Sequence, residues 1–199
     1  MLKIDNISKQ FGKKQVLKDV SLELNPGERV HIIGKNGSGK STIFKIITNI
    51  LKADAGQVEL AENDYVGALI ENPGFLEYES GLENLKFLGN LNHNYDEQVA
   101  MKLMEKFDLD PNDLQAVSKY SIGMRQKLGI IQAVMENQNI VLLDEPTRGI
   151  DKEGVATFVK LLDELKQEKR AVIIASHDEI PGLKYDRELL LKNGELASV

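Results

Sequence analysis

The sequence predicts an α/β fold in which a mostly parallel sheet is covered by helices on both faces. Short, continuously apolar segments such as residues 30–33 and 171–175 alternate with stretches of helical periodicity, a pattern typical of parallel strands buried on both sides. Residues 81–137 show helical periodicity without such strands, which indicates an inserted helical region. Up to Leu24, apolar and polar residues alternate, which favours antiparallel strands at the edge.

The length and composition are those of one globular domain. The chain has 199 residues, of which 42% are hydrophobic and 28% charged, and its formal net charge is −6. A domain of this size can bury a core of its own, whereas an acidic chain is a poor match for the phosphate backbone of nucleic acids. The absence of cysteine excludes disulfides and cysteine-based zinc or redox sites.

The sequence shows no segment suited to crossing a membrane. No apolar run approaches the length that a spanning helix needs. Polar residues interrupt the segment after Met1, where a signal peptide would have its apolar centre. We therefore expect a cytoplasmic protein, and we expect any membrane-spanning part of its assembly to come from another chain.

In chain order, the elements of this fold can be placed to within a few residues. The strands predicted from apolar runs are residues 30–33, 64–70, 140–143 and 171–175. The helices predicted from apolar spacing are marked by Ile43, Ile46, Ile47, Ile50 and Leu51, by Val99, Leu103 and Phe107, by Met124, Leu128, Ile131 and Met135, and by Val155, Phe158, Val159, Leu162 and Leu165. We expect one domain over residues 1–199, with a core of residues 1–71 and 138–199 and a helical subdomain at about 72–137.

Residues 34–41 read Gly-Lys-Asn-Gly-Ser-Gly-Lys-Ser and follow a predicted strand. They fit the phosphate-loop pattern of a glycine, any four residues and Gly-Lys-Ser. Glycines let backbone N–H groups turn toward phosphates, the Lys40 ammonium adds positive charge, and the Ser41 hydroxyl is placed to ligate Mg²⁺. The motif predicts a nucleotide site formed by Gly34, Asn36, Gly37, Ser38, Gly39, Lys40, Ser41 and Thr42.

A second motif ends the predicted strand at residues 140–143, where Asp144 and Glu145 follow the apolar run. In phosphate-loop nucleotidases, an aspartate at a neighbouring strand end holds Mg²⁺. We therefore expect Asp144 at the metal and Glu145 beside the γ-phosphate, placed to polarise a water. These two motifs leave GTPases, nucleotide kinases and several classes of ATPase open, although the guanine-reading sequence Asn-Lys-x-Asp is absent from the chain.

Two further segments narrow the choice. Ser121 and Gly123 stand at the predicted start of a helix, where a hydroxyl and free N–H groups can bind an anion. Because one chain already has a phosphate site, this second site could serve a nucleotide bound to another copy. His177 follows the last predicted buried strand, and an imidazole there could reach a γ-phosphate.

Together these ordered motifs resemble the ATP-binding cassette (ABC) family of ATPases over nearly the whole chain. Residues 121–126, Ser-Ile-Gly-Met-Arg-Gln, are similar to the family's signature motif, with Ile122 and Met124 in place of the commoner Gly and Gln. Residues 145–151, Glu-Pro-Thr-Arg-Gly-Ile-Asp, resemble the end of Walker B and the D-loop, which places Asp151 at the nucleotide interface.

The resemblance implies a fold, a reaction and an assembly. The implied fold is a phosphate-loop (RecA-like) core with an N-terminal antiparallel β-subdomain and an inserted helical subdomain. The implied reaction is ATP hydrolysis with Mg²⁺, in which Glu145 and His177, the match to the family's switch histidine, are catalytic. Phe11 matches the aromatic residue that stacks on adenine. The implied assembly is a head-to-tail homodimer with two ATP molecules at its interface.

One departure from the family pattern resembles a subfamily. Glu71 stands where the family usually has a glutamine that reaches Mg²⁺ or the attacking water, so the expected metal set is Ser41, Glu71 and Asp144. With the Ser-x-Gly-Met signature, this pattern resembles the ATPases of bacitracin-type and lantibiotic-type self-protection exporters, which work with ABC-2 membrane subunits. The resemblance implies a chain held on the inner face of the cell membrane by a separate permease subunit.

Two other functions remain open. An ABC ATPase of nucleic-acid repair or translation usually carries a long coiled-coil insertion or two cassettes, and this acidic sequence shows neither. A non-hydrolysing regulator would be expected to lose Lys40, Glu145 or His177, and all three are retained. Among single residues, we expect His31, in an apolar strand, to be a packing residue. A cluster of lysines could suggest a basic patch, but in an acidic chain we expect solvated hairpin charges at Lys9, Lys13, Lys14 and Lys18.

Overall fold

The computed structural model describes residues 2–199, so Met1, the first residue of the segment inspected for a signal peptide, lies outside the described residues. The strands are β1 (Leu2–Phe11), β2 (Lys14–Leu24), β3 (Arg29–Ile33), β4 (Ala55–Glu59), β5 (Val66–Leu69), β6 (Ile140–Asp144), β7 (Ala171–Ser176), β8 (Arg187–Lys192) and β9 (Glu195–Ser198). The helices are α1 (Lys40–Ile47), α2 (Gly81–Leu91), α3 (Glu97–Lys106), α4 (Ile122–Val134) and α5 (Lys152–Gln167), with a 3₁₀ turn at Val117–Lys119.

The main sheet has six strands in the order β5-β6-β7-β3-β8-β9, and every neighbouring pair is parallel except β8 with β9. Ile33 lies opposite Ser176, and Asp144 lies opposite Ala175. The carboxyl ends of β3, β6 and β7 therefore meet at one edge, which is where parallel α/β sheets place their ligands. The predicted α/β class is confirmed, whereas the β8–β9 hairpin was not anticipated.

Apolar side chains leave the central strands in both directions and build two cores. Val141 and Leu143 of β6 belong to the core formed with α4 and α5. Ile140 and Leu142 of the same strand belong to the core formed with α1, β1 and β2. Alternate residues of one strand point to opposite faces, so a strand covered on both sides must be apolar throughout, which explains the continuous run in the sequence.

A second, antiparallel sheet contains β1 and β2, as the alternating N-terminal pattern indicates, and adds β4 on the other side of β1. These strands form a sheet of their own that covers one face of the core, which confirms the predicted N-terminal antiparallel β-subdomain. β4 was not predicted, since its sequence Ala-Gly-Gln-Val-Glu carries little apolar alternation.

Helix α1 begins after Gly39, whose φ of 113° is open to glycine rather than to other residues. The predicted extension of this helix through Ile50 and Leu51 is wrong. Asn49 adopts a left-handed φ of 57°, which ends a helix much as a C-terminal glycine does, and Ile50 is 69% exposed beyond it.

The three helices α2, α3 and α4 lie within residues 81–134, the segment in which the sequence predicts helices. Helix α4 packs closely on β5, because a β-carbon built on Gly67 would lie 1.9 Å from the Ala133 carbonyl oxygen. Within residues 2–199, none of the helices combines the length and the apolar character that crossing a bilayer requires.

Candidate functional site

A cleft of about 550 Å³ opens where β3, β6 and the start of α1 come together. The predicted site residues that line it come from the phosphate loop, from β1 and from the ends of β5 and β6. They are Phe11, Asn36, Gly37, Gly39, Lys40, Ser41, Thr42, Glu71, Asp144 and Glu145. The fold therefore gathers residues separated by more than 130 positions in the sequence into one cavity.

The phosphate loop holds its shape because small residues permit close contacts. A β-carbon on Gly34 would lie 2.6 Å from Ser38 Oγ and 2.9 Å from the Leu191 carbonyl oxygen. Gly37 has a φ of 76° and Gly39 one of 113°, values that strain other residues. Gly34 and Ser38 support the loop without lining the cleft.

Lys40, the first residue of α1, is only 6% exposed. Its ammonium donates a 2.7 Å hydrogen bond to the Gly34 carbonyl oxygen and lies 3.5 Å from Oε1 of Glu145. The helix N-terminus adds free N–H groups and the positive end of the helix dipole. This part of the cleft therefore presents a buried positive charge to an anion.

Asp144 and Ser41 form a second pair at the floor of the cleft. The Ser41 hydroxyl donates a 2.5 Å hydrogen bond to Oδ2 of Asp144. Burial raises the pKa of the Asp144 carboxyl above its ordinary value, and the bond from Ser41 opposes that rise. A buried carboxylate is costly without a cation, so this pair suits a bound positive ion.

The residues fit Mg²⁺ in the form that nucleotides bring it. Mg²⁺ takes one or two protein oxygens and completes its shell with phosphates and water. Ser41 and Asp144 supply one hydroxyl and one carboxylate oxygen side by side. No cluster of three or more His, Cys, Asp and Glu side chains that could hold a metal occurs among residues 2–199.

The backbone of Glu145 is held by hydrogen bonds through both its N–H and its carbonyl oxygen. Its N–H donates to the Ala175 carbonyl oxygen at 2.8 Å, and its own carbonyl oxygen accepts a 3.0 Å bond from the Gln126 side chain. Its φ of 46° lies in the left-handed region, which costs about 1–3 kcal/mol for a residue other than glycine. Its Oε1 is buried and has no hydrogen-bond partner within the described chain.

Glu71 lies at the cleft but faces a lysine. Its Oε1 is 2.6 Å from Lys45 Nζ on α1, and its side chain is largely exposed. Its φ of 56° is left-handed, which turns the chain sharply at the end of β5. The structure thus brings Glu71 to the cavity wall, while the ion pair points its carboxylate along α1.

Phe11 ends β1 at the mouth of the cleft and is 49% exposed. The Lys9 ammonium lies 5.6 Å from the centre of its ring and 2.7 Å from Oδ1 of Asp54. The prediction of a solvated charge is wrong for Lys9, whose side chain is only 13% exposed, and right for the exposed Lys13, Lys14 and Lys18. One ring face of Phe11 is held by the cation, and exposed ring surface remains for stacking.

Besides Gly34 and Ser38, four predicted residues lie outside this cleft. Ser121 caps α4 by accepting from the Met124 N–H at 3.1 Å, and Asp151 caps α5 by accepting from the Gly154 N–H at 2.8 Å. A β-carbon on Gly123 would lie 2.5 Å from the Gly149 carbonyl oxygen. His177 follows β7, is about half exposed, and lies 3.0 Å from the Asp178 carboxylate through Nδ1.

The cleft also contains residues to which the sequence analysis gave no role. Gln126 and Arg148 stand inside the quoted motifs at residues 121–126 and 145–151, so their positions offered a signal. Asn72 follows Glu71 directly. Val16 lies on β2 and carries no polar group that could have marked it.

The chain is similar to the ATP-binding proteins of ABC transporters. A family model described as ABC transporter matches residues 17–148. The uncharacterized ABC transporter ATP-binding protein YdbJ of Bacillus subtilis is 35% identical over 98% of this chain and 68% of its own length. The lantibiotic transport ATP-binding protein SrtF of Streptococcus pyogenes is 32% identical over 89% of this chain and 80% of its own. The bacitracin transport ATP-binding protein BcrA of Enterococcus faecalis is 31% identical over 89% of this chain and 61% of its own length.

Solved structures show the same fold. The dimeric structure of a bacterial ABC transporter cassette matches with a TM-score of 0.88 and 25% identity over 100% of this chain and 98% of its own. A nucleotide-free ATP-binding cassette from an ABC transporter matches with a TM-score of 0.83 and 27% identity over 100% and 90%. The chain therefore belongs to the ABC transporter family. Within that family it is an ATP-binding subunit and an ATPase.

Proposed function

We propose that this chain hydrolyses ATP to drive a separate membrane-spanning exporter whose cargo is a peptide antibiotic. The observation that carries the ATPase site is the set of opposed charges in one cleft, with Lys40 and the start of α1 facing Asp144 and Glu145. Similarity to SrtF and BcrA, named for lantibiotic and bacitracin transport, supports the cargo class. The chain then works on the inner face of the membrane through its permease.

In the proposed site, each residue of the cleft has a task defined by its chemistry. The Lys40 ammonium and the N–H groups at the start of α1 bind the terminal phosphates. The Phe11 ring stacks on adenine. Ser41 and Asp144 would hold the metal, and Glu71, once released from Lys45, would supply a further oxygen ligand. Bound Mg²⁺ would neutralise phosphate charge and orient the triphosphate for attack.

Hydrolysis requires a water aligned with the γ-phosphate, and Glu145 is the carboxylate placed to orient it. Hydrogen bonds to Ala175 and Gln126 hold its backbone, so the position of its α-carbon is fixed. Its buried Oε1, which accepts no hydrogen bond within residues 2–199, is available to accept one from water. His177 contacts the γ-phosphate from the end of β7.

The residues outside the cleft complete the site from another copy. Ser121 and Gly123 at the start of α4 present a hydroxyl and N–H groups that do not line their own chain's cleft. In a head-to-tail homodimer they cap the γ-phosphate held by the partner, and Asp151 lies at the same interface. ATP then joins the two copies, and its hydrolysis separates them, which the permease converts into alternating access.

Two measurements test the proposal at separate levels. Purified chain should release phosphate from ATP only with Mg²⁺, and Glu145→Gln should lose that activity. Deletion of the gene in its host should raise sensitivity to bacitracin or to a lantibiotic, and wild type but not Glu145→Gln should restore resistance. Normal ATPase activity with unchanged sensitivity to these peptides would contradict the cargo class and leave the ATPase site intact.

A further inference from the structure

His31, in the middle of β3, is linked by hydrogen bonds to the two residues that flank His177. Its Nε2 lies 2.7 Å from the Ser176 hydroxyl oxygen, and that hydroxyl lies 2.6 Å from the Asp178 carbonyl oxygen. His31 is fully buried. The expected packing role accounts for that burial but does not account for these bonds.

The direction of the bonds follows from the number of protons. A carbonyl oxygen can only accept, so the Ser176 hydroxyl donates its one proton to Asp178. The hydroxyl must then accept its other bond from His31, which places the imidazole proton on Nε2. Burial lowers the pKa of His31, with Glu188 opposing the shift. The ring is therefore a neutral donor to Ser176.

The donor cannot easily move. The His31 ring stacks on Tyr185 with centroids 4.3 Å apart and an angle of 16° between the planes. β3 and β7 are paired in register, with His31 opposite Ile174 and Ile33 opposite Ser176. Nδ1 makes no hydrogen bond within the described chain and lies 3.6 Å from the Glu188 carboxylate. The ring is therefore held by Ser176 on one edge and by stacking on its face.

His177 combines a held backbone with an exposed side chain, whose Nδ1 lies 3.0 Å from the Asp178 carboxylate. The bond from the Ser176 hydroxyl to the Asp178 carbonyl closes a small turn around it. Its imidazole is 54% exposed. We propose that His31 is a positioning residue for His177, acting through the Ser176 hydroxyl to hold the turn that directs the imidazole at the γ-phosphate. The proposal rests on the role proposed above for His177.

The test is ATP hydrolysis by the full chain with MgATP, measured as kcat and KM for each variant. His31→Phe keeps the stacked ring and removes the Nε2 proton. Ser176→Ala removes the same link without changing the core, and Ser176→Thr restores a hydroxyl. We expect the first two to lower kcat about tenfold with KM unchanged, and Ser176→Thr to retain the wild-type kcat. Tyr185→Phe, which keeps the stack in the same pocket, is the matched control and should match wild type.

Epistasis separates positioning from a general loss of structure. On a His177→Ala background, His31→Phe and Ser176→Ala should cause no further fall in kcat, because they act through that imidazole. Effects that multiply, or a normal kcat for His31→Phe, would overturn the positioning proposal alone. His177→Ala with wild-type kcat would instead overturn the role of His177 itself. A chain without MgATP hydrolysis would contradict the proposed function as a whole.

Discussion

The Lys40 ammonium and the Glu145 carboxylate face each other across the cleft, with Nζ 3.5 Å from Oε1. The lysine has a second partner in the Gly34 carbonyl oxygen, whereas this carboxylate oxygen accepts no hydrogen bond from the residues described. The two opposite charges are in ion-pair contact beside the position expected for the terminal phosphate. A change to either residue therefore alters the electrostatic surroundings of the other.

Replacing Lys40 by alanine should weaken ATP binding about 10- to 100-fold, because a charged hydrogen bond is worth about 1.5–3 kcal/mol. Isothermal titration with MgATP measures the affinity. Lys35→Ala is the matched control, since it removes the same charge from an exposed position of the same loop. Equal affinities of Lys40→Ala and wild type would refute the assignment of the phosphate loop.

Glu145→Gln should bind ATP and hydrolyse it at least about 100-fold more slowly, because the amide keeps the shape but loses the carboxylate that orients water. Gel filtration with MgATP should then show a dimer that persists. Glu153→Gln, an exposed acid in the first turn of α5, serves as control. Normal turnover by Glu145→Gln would show that the catalytic carboxylate lies elsewhere.

Ser121→Arg should leave ATP binding by the single chain nearly intact and block hydrolysis, since Ser121 lies outside its own cleft. Mixed with Lys40→Ala, it should regain activity through one site that combines an intact phosphate loop with an intact signature. The control is the double variant Lys40→Ala/Ser121→Arg mixed with Lys40→Ala, in which no such site can form. If the first mixture is no more active than its parents, the head-to-tail dimer is not supported.

Glu71→Gln should make ATP hydrolysis less dependent on Mg²⁺ concentration, because it removes a negative charge from the wall of the cleft. The Lys45 ion pair also holds this carboxylate, so Lys45→Ala, which removes only the partner, is the informative companion. The measurement is a Mg²⁺ titration of ATPase activity at fixed ATP. Superimposable curves for wild type and Glu71→Gln would make Glu71 a surface acid.

Folding stability should fall as the pH drops below 6.5, the ordinary pKa of a histidine side chain. Burial lowers the pKa of His31 in the folded chain, so the unfolded chain binds the extra proton in this window. The loss amounts to at most about 1.4 kcal/mol per pH unit. The measurement is urea denaturation of wild type and His31→Phe between pH 7.5 and 5.5. The free energy of unfolding should change less with pH in His31→Phe than in wild type. Parallel curves would mean that His31 titrates normally.

Site residues can be predicted from the sequence where residue type and spacing by themselves indicate the chemistry. Lys40, Ser41 and Asp144 could be placed together because a glycine-rich turn follows one buried strand and acids follow another. The end of α1 was missed because Ile50 continues the apolar spacing, while the left-handed Asn49 that ends the helix leaves no periodic signal.

Contacts between distant residues escaped sequence analysis for a different reason. Lys9 resembles a solvated charge until β4 and its preceding turn bring Asp54 beside it. The His31–Ser176 bond joins strands that are 145 positions apart, and a lone histidine in an apolar run gives no hint of its partner. Such contacts depend on strand order and register, which local patterns do not specify.

The close contact between Gly123 and Gly149 decides which substitutions are useful in complementation experiments with mixed subunits. With only 2.5 Å between a built β-carbon and the carbonyl oxygen, even a methyl group at position 123 would displace the loop that follows Glu145 in the same polypeptide. A substitution at Gly123 would then impair two ATP sites: the site on the partner subunit that Gly123 faces, and the site of its own chain. Complementation by mixed subunits would fail for such an allele even in a head-to-tail dimer, so Ser121 is the informative position for assigning defects to one subunit.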